Sequence, residues 1–205
     1  MRRRPVLYIA GPKVFALNAL AIGARKKAIV RKSGFEPLFP LDNEVRSTCS
    51  NPSNAIYCGN IAMVDRAEII VANMNPFRSP TEPDSGTVWE SAYAKGQGKI
   101  VIGHIRSGRP LVERLRRDPV FAQVLSRRED GSHQDGDGFL IEDFSQPLNL
   151  MICHGLTRLV VGDFQAAVAV ARREFFSRQV LQHYGQTDGT RLLPVVNHPA
   201  RKGGA

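Results

Sequence analysis

Cysteine is scarce in this chain: Cys49, Cys58 and Cys153 are the only three in 205 residues, an odd number with no CxxC spacing. Neither a disulfide framework nor a thiolate zinc site is expected from that pattern. The five histidines, His104, His133, His154, His183 and His198, form no HxxxH or HExxH pair, so no metal site is expected and no cofactor is called for. No apolar run reaches the roughly 18 residues that a membrane-spanning helix needs. The start of the chain is basic at Arg2, Arg3 and Arg4, but the apolar stretch that follows covers only residues 6–10 and runs into Gly11-Pro12. That is too short for the core of a secretory signal, and a cytoplasmic location is expected.

Aromatic residues make up 7% of the chain, and they do not interleave with its basic residues. The formal charge of +9 therefore does not read as a nucleic-acid footprint, because the basic residues are dispersed over 2–4, 25–27, 114–117, 127–128 and 172–173. A solvated basic surface is the plain reading, and one able to steer small anions.

What is present is enough apolar material, 42% of the residues, for one well-buried core. A single domain over residues 1–184 with a loosely held tail at 185–205 is expected. Residues 6–10 read as a buried strand, 16–32 as a helix, and 35–39 as a second short strand. Ser53 or Asn54 can cap a helix running to Arg66. The continuous apolar run Ile69-Ile70-Val71-Ala72 has the character of a strand covered on both faces. A helix over 87–97, a strand at 99–103, a helix over 110–125, a strand at 157–161 and a helix over 164–182 complete the pattern. Residues 127–138, rich in Asp and Gly, read as a flexible loop. This alternation specifies an α/β fold, a doubly wound open parallel sheet of about five strands flanked by helices, flavodoxin-like or Rossmann-like. Such sheets bind ligands at the carboxyl ends of their strands, where Gly11 and residues 73–78 and 84–90 should gather.

The run Glu82-Pro83-Asp84-Ser85-Gly86-Thr87-Val88-Trp89-Glu90 places two carboxylates around a tight turn between a strand and a helix. One can grip a polar substrate while the other attacks it, a layout that suggests sugar chemistry. A helix start would keep both carboxylates ionised. The same residues also fit a capping box, in which Glu90 merely bonds back to the first amide of its helix. Tyr8-Ile9-Ala10-Gly11-Pro12 ends the first strand with a glycine that admits either close approach of a ligand or a simple turn. Asp65 and Glu68 flank the start of the third strand and read equally as surface residues. Pro147-Leu148-Asn149-Leu150-Met151 sets an amide and a thioether among apolar residues, and a helix start is its ordinary reading.

Taken in order, Tyr8 to Pro12 with Val14-Phe15, residues 37–44, 67–78, 82–94 and 147–151 resemble the nucleoside 2-deoxyribosyltransferase family. The resemblance implies 2'-deoxynucleosides and free nucleobases as partners, with transfer of 2-deoxyribose through a covalent deoxyribosyl-glutamate. It implies that Glu90 is the nucleophile, Asp84 holds the sugar hydroxyls and Tyr8 positions Glu90. Glu68 handles the base, Glu68 or a water held by Asp65 protonates it as it departs, and Asn149 and Met151 reach into a neighbouring subunit, while Gly11 lets the substrate approach the backbone closely. A homo-oligomer built from dimers with shared sites follows. Two other activities stand beside it. One is cleavage of 2'-deoxynucleoside 5'-monophosphates by an N-glycosidase of the same fold, whose relatives carry a small hydroxyl residue where Asp84 stands. The other is a non-catalytic nucleotide-binding module.

Overall fold

The computed structural model describes residues 3–43 and 50–185. Five parallel strands form the main sheet: β1 (Val6–Ala10), β2 (Glu36–Leu38), β3 (Ile69–Asn73), β4 (Ile100–Ile105) and, later in the chain, β8 (Arg158–Val161), in the order β2-β1-β3-β4-β8. Every residue of β1, β3 and β4 is buried, because helices cover both faces and the strands need apolar side chains on each. On one face Tyr8, Ala10, Ile70, Ala72 and Val101 pack with Met63 and Val64 of helix α2 (Pro52–Arg66), Ala94 of α3 (Ser85–Gly96) and Leu156, which follows α6 (Leu150–Gly155). On the other, Leu7, Ile9, Ile69, Val71 and Ile102 pack with Val30 of α1 (Ala19–Lys32) and with Phe164, Ala167, Val168 and Ala171 of α7 (Phe164–Gly185). The alternation within each strand thus assigns one layer of helices to each face.

Chain order reverses direction across the sheet between β1 and β3. A crevice opens at such a switch point, outside the carboxyl ends of the two strands. Gly11 stands there with φ +148°, and a Cβ on it would lie 2.8 Å from Cβ of Asn73 at the end of β3. Both the backbone angle and the close approach require glycine, so more than a simple turn is built here. Gly11→Ala is expected to destabilise the fold by roughly 2 kcal/mol, read as a lower denaturant midpoint.

Several local expectations need correction. The helix expected over 110–125 is two helices, α4 (Leu111–Arg117) and α5 (Phe121–Val124). Pro119 cannot continue the first, and Oδ1 of Asp118 accepts from the amides of Val120 and Phe121 to start the second. The flexible loop expected at 127–138 belongs to a small antiparallel sheet of β5 (Ser126–Arg127), β6 (His133–Gln134) and β7 (Leu140–Ile141). Its Asp-Gly runs are turn residues: Gly131 and Gly138 have φ +83° and +87°, and Oδ1 of Asp135 takes the amides of Asp137 and Phe139. Helix α2 is capped by Asn51, whose Oδ1 accepts from the Asn54 amide at 3.1 Å, with Pro52 in the first turn. The cap is neither Ser53 nor Asn54. Cys58 and Cys153 are free thiols; Cys49, the glutamate at position 44 and the expected tail at 186–205 lie outside the described residues. Among the described residues no helix is long and apolar enough to cross a membrane.

Candidate active site

Asp84 is the N-cap of α3, its Oδ2 accepting from the amide (2.9 Å) and the hydroxyl (2.7 Å) of Thr87. The cap excludes the capping-box reading of Glu90: Thr87 occupies the third helical position, and Glu90 lies a turn further on. From there its carboxylate reaches β1, where Oε1 accepts from the Tyr8 hydroxyl at 2.7 Å. Oε2 of Glu90 and Oδ1 of Asp84 make no hydrogen bond among the described residues. Each carboxylate is therefore anchored through one oxygen and offers the other.

The expectation that the helix start keeps Glu90 ionised fails on its position. Burial pushes the Glu90 carboxyl up to about 7, the Asp84 charge adds to this, and the Tyr8 hydrogen bond only partly offsets them. Tyr8 is fully buried; burial first, then the Glu90 charge, holds its phenol well above its ordinary value. It therefore stays a neutral donor to Glu90. The pair combines a carboxylate that titrates near neutrality with a partner that fixes its orientation, which is the arrangement a positioned nucleophile or general base requires.

The structure does not bring Glu68 or Asp65 to this crevice. Glu68 precedes β3, and its Oε2 accepts from the Val6 amide at 2.6 Å while Oε1 pairs with Arg3. It serves the amino end of β1, the far edge of the sheet. Asp65 accepts from the Tyr93 hydroxyl (3.0 Å) and from Gln97 (2.7 Å) near the end of α3, and the Gln97 bond leads in holding its carboxyl below the usual range. Both residues are corrected from base-handling to structural roles.

Asn149 caps α6, with Oδ1 accepting from the Met151 amide at 2.9 Å and Nδ2 donating to Glu142 at 2.8 Å. The ordinary helix-start reading of this segment thus holds within the chain. Met151 is 74% exposed. Between α6 and α3 lies an apolar hollow walled by Val88, Ala92, Lys95, Met151 and Ile152. At about 100° per residue, Val88 and Ala92 stand roughly opposite Glu90 on α3. Met151 is therefore on the far side of that helix from the Glu90 of its own chain, and Asn149 caps the helix that carries it.

Sequence reasoning missed three features. Asn60 shares a face of α2 with buried Met63 and Val64, and its buried Oδ1 has no partner among the described residues. A polar residue on an inward helical stripe was the available signal. Phe15 and Phe77, which follow β1 and β3, stack at 5.7 Å with 13° between their planes, and the Arg78 guanidinium lies over both rings. Arg114, placed by sequence in a solvated basic run, is partly buried and donates to the carbonyls of Pro80, Thr81 and Pro147. Among the described residues no group of His, Cys, Asp and Glu is arranged to hold a metal ion.

Comparison with known proteins places this geometry. A 2-desoxiribosyltransferase from Leishmania mexicana is 32% identical, with 82% of this chain and 97% of that chain covered and a TM-score of 0.64. A conserved protein from Enterococcus faecalis V583, 18% identical with 82% and 98% covered and a TM-score of 0.52, shares the fold. An uncharacterized protein of Schizosaccharomyces pombe is 27% identical over 195 residues, 87% of this chain and 92% of the relative. Residues 7–151 match the family described as nucleoside 2-deoxyribosyltransferase, a span that contains Tyr8, Gly11, Asp84, Glu90, Asn149 and Met151. With the five-stranded sheet and the crevice at its switch point, the match establishes that the chain belongs to the nucleoside 2-deoxyribosyltransferase family.

Proposed function

We propose that this chain transfers 2-deoxyribose between nucleobases through a covalent deoxyribosyl ester on Glu90, in salvage of deoxynucleosides. The observation that carries the reading is the Tyr8-Glu90 hydrogen bond of 2.7 Å on the same helix that Asp84 caps. Free Oε2 of Glu90 attacks the anomeric carbon as the C–N bond breaks and the base departs with a proton from water, through an oxocarbenium-like transition state. A second base then attacks the ester from the vacated face and gives up its N–H proton to water, restoring the glutamate, and configuration is retained. Tyr8 holds the carboxylate in line. Free Oδ1 of Asp84 accepts from a sugar hydroxyl, and Gly11 lets the sugar approach the end of β1. A 2'-hydroxyl withdraws electrons from the developing cation, so deoxyribose reacts faster than ribose. Incubation with deoxyinosine and adenine, resolved chromatographically, tests the reading: deoxyadenosine and hypoxanthine are expected, and their absence would sink it.

Attack requires ionised Glu90. With that carboxyl pushed up to about 7, kcat/KM for the first step should fall about tenfold per pH unit below neutrality and level off above it. A profile flat down to pH 5 would contradict the assignment.

Free 2'-deoxynucleosides are expected to react faster than their 5'-monophosphates, because Asp84 as an anion beside the sugar repels a dianion. A higher kcat/KM for deoxyadenosine monophosphate than for deoxyadenosine would move the chain to N-glycosidase chemistry.

The site is proposed to be completed across a dimer. Exposed Met151, on the helix that Asn149 caps, lies behind α3 from its own chain's Glu90, a placement that suits entry into a second copy's site around a two-fold axis. Asn149 keeps hydrogen-bonding capacity beyond its two internal bonds, since an amide oxygen has a second lone pair and its nitrogen a second proton.

A further inference from the structure

Arg114 lies on α4, outside the five-stranded sheet, and its guanidinium joins two segments that are remote in sequence. Nη2 donates to the carbonyls of Thr81 at 2.8 Å and Pro80 at 3.3 Å, and Nη1 donates to the carbonyl of Pro147. Among the described residues it makes no ion pair within 4.0 Å. A planar fork with five fixed donors suits this task, since it can address several carbonyls at once where a lysine offers a single point. Both segments lead straight into residues of the proposed site. Buried Thr81 stands three residues before Asp84, and Pro147 stands two residues before Asn149. The loop is braced further by Ser79, whose hydroxyl oxygen accepts from the amides of Thr81 and Glu82. The tip carrying Pro80 and Thr81 is thus a defined shape that Arg114 fastens to the other segment.

We propose that Arg114 is a positioning residue that sets Asp84 and Asn149 by fixing the Thr81 and Pro147 carbonyls to one guanidinium. This rests on the deoxyribosyl-transfer reading for its catalytic consequence, and on geometry alone for the tie itself. Where Asp84 serves its own chain's site and Asn149 the partner's, one side chain links parts of two sites.

The test uses the full-length protein with Arg114→Met and, to retain charge and a long stem should the first variant unfold, Arg114→Lys. Hydrogen exchange at amides held near the two segments, Glu82 and Thr87 on one side and Leu150 and Met151 on the other, should accelerate about tenfold or more in both places while the central strands are unchanged. In base exchange, the variant should lose about a hundredfold in kcat/KM, and the loss should shrink when Asp84 is already Asn. Acceleration in only one segment or in neither, or additivity with Asp84→Asn, would overturn the proposal. A wild-type protein without base exchange would refute the transfer reading, and the hydrogen-exchange result would still decide the tie.

Discussion

Replacing Glu90 by alanine is expected to lower base exchange on the order of a thousandfold or more while the protein stays folded. Among the described residues the other candidate carboxylates are placed differently: Asp84 holds the start of α3 through Thr87, and Asp65 and Glu68 serve the opposite edge of the sheet. Glu90→Gln separates charge from shape, because the amide oxygen can still accept from Tyr8. It should be as inactive as the alanine variant and more stable than wild type at pH 8. The sign follows from linkage. A carboxyl at about 7 in the folded protein and 4.5 ordinarily binds its proton more tightly when folded, so stability declines as pH rises from about 4.5 through 7. Above that range the ionised Glu90 costs the folded state roughly 3 kcal/mol, which the neutral amide avoids. The thermal midpoint of Glu90→Gln should therefore exceed that of wild type by several degrees at pH 8 and converge with it at pH 4. A Glu90 variant that folds and exchanges bases at near wild-type rate would remove the nucleophile assignment.

Equal amounts of Glu90→Ala and Asn149→Ala protein, each weak alone, are expected to regain activity when unfolded and refolded together. Asn149→Ala should lose roughly ten- to a hundredfold from a misplaced substrate and about 1 kcal/mol from its helix cap. If Asn149 serves the partner's Glu90, both defects of a hybrid dimer fall in one site and the other is intact. About half the dimers are hybrids with one good site of two, so activity should recover to roughly a quarter of wild type. If Asn149 serves its own chain, every hybrid site carries a defect. A mixture containing hybrids but showing no recovery would reject the shared site.

The sheet was legible because β1, β3 and β4 each open on a continuous apolar run, residues 6–10, 69–72 and 100–102, as strands covered on both faces do. The pairing of Tyr8 with Glu90 was reachable by resemblance, and the Asp84 cap by the ordinary preference of aspartate for that position. Glu68 went wrong for a geometric reason. A residue that precedes a parallel strand sits at its amino edge, and ligands gather at the other. The small sheet of residues 126–141 was hidden because Asp-Gly runs mark hairpin turns and loose loops alike. Arg114 was illegible because its partners are backbone carbonyls 33 and 34 residues away, and carbonyls carry no sequence signal.

The most direct test of the account is the mass of the protein quenched early in its reaction with excess deoxyinosine, followed by peptide mapping. The account predicts a species heavier by one deoxyribosyl group, carried on the peptide containing Glu90, discharged on addition of adenine to give deoxyadenosine, and absent from Glu90→Gln. Deoxyribosyl transfer with the group mapped to a different residue, or an unmodified protein throughout a reaction that Glu90→Gln also sustains, would contradict it.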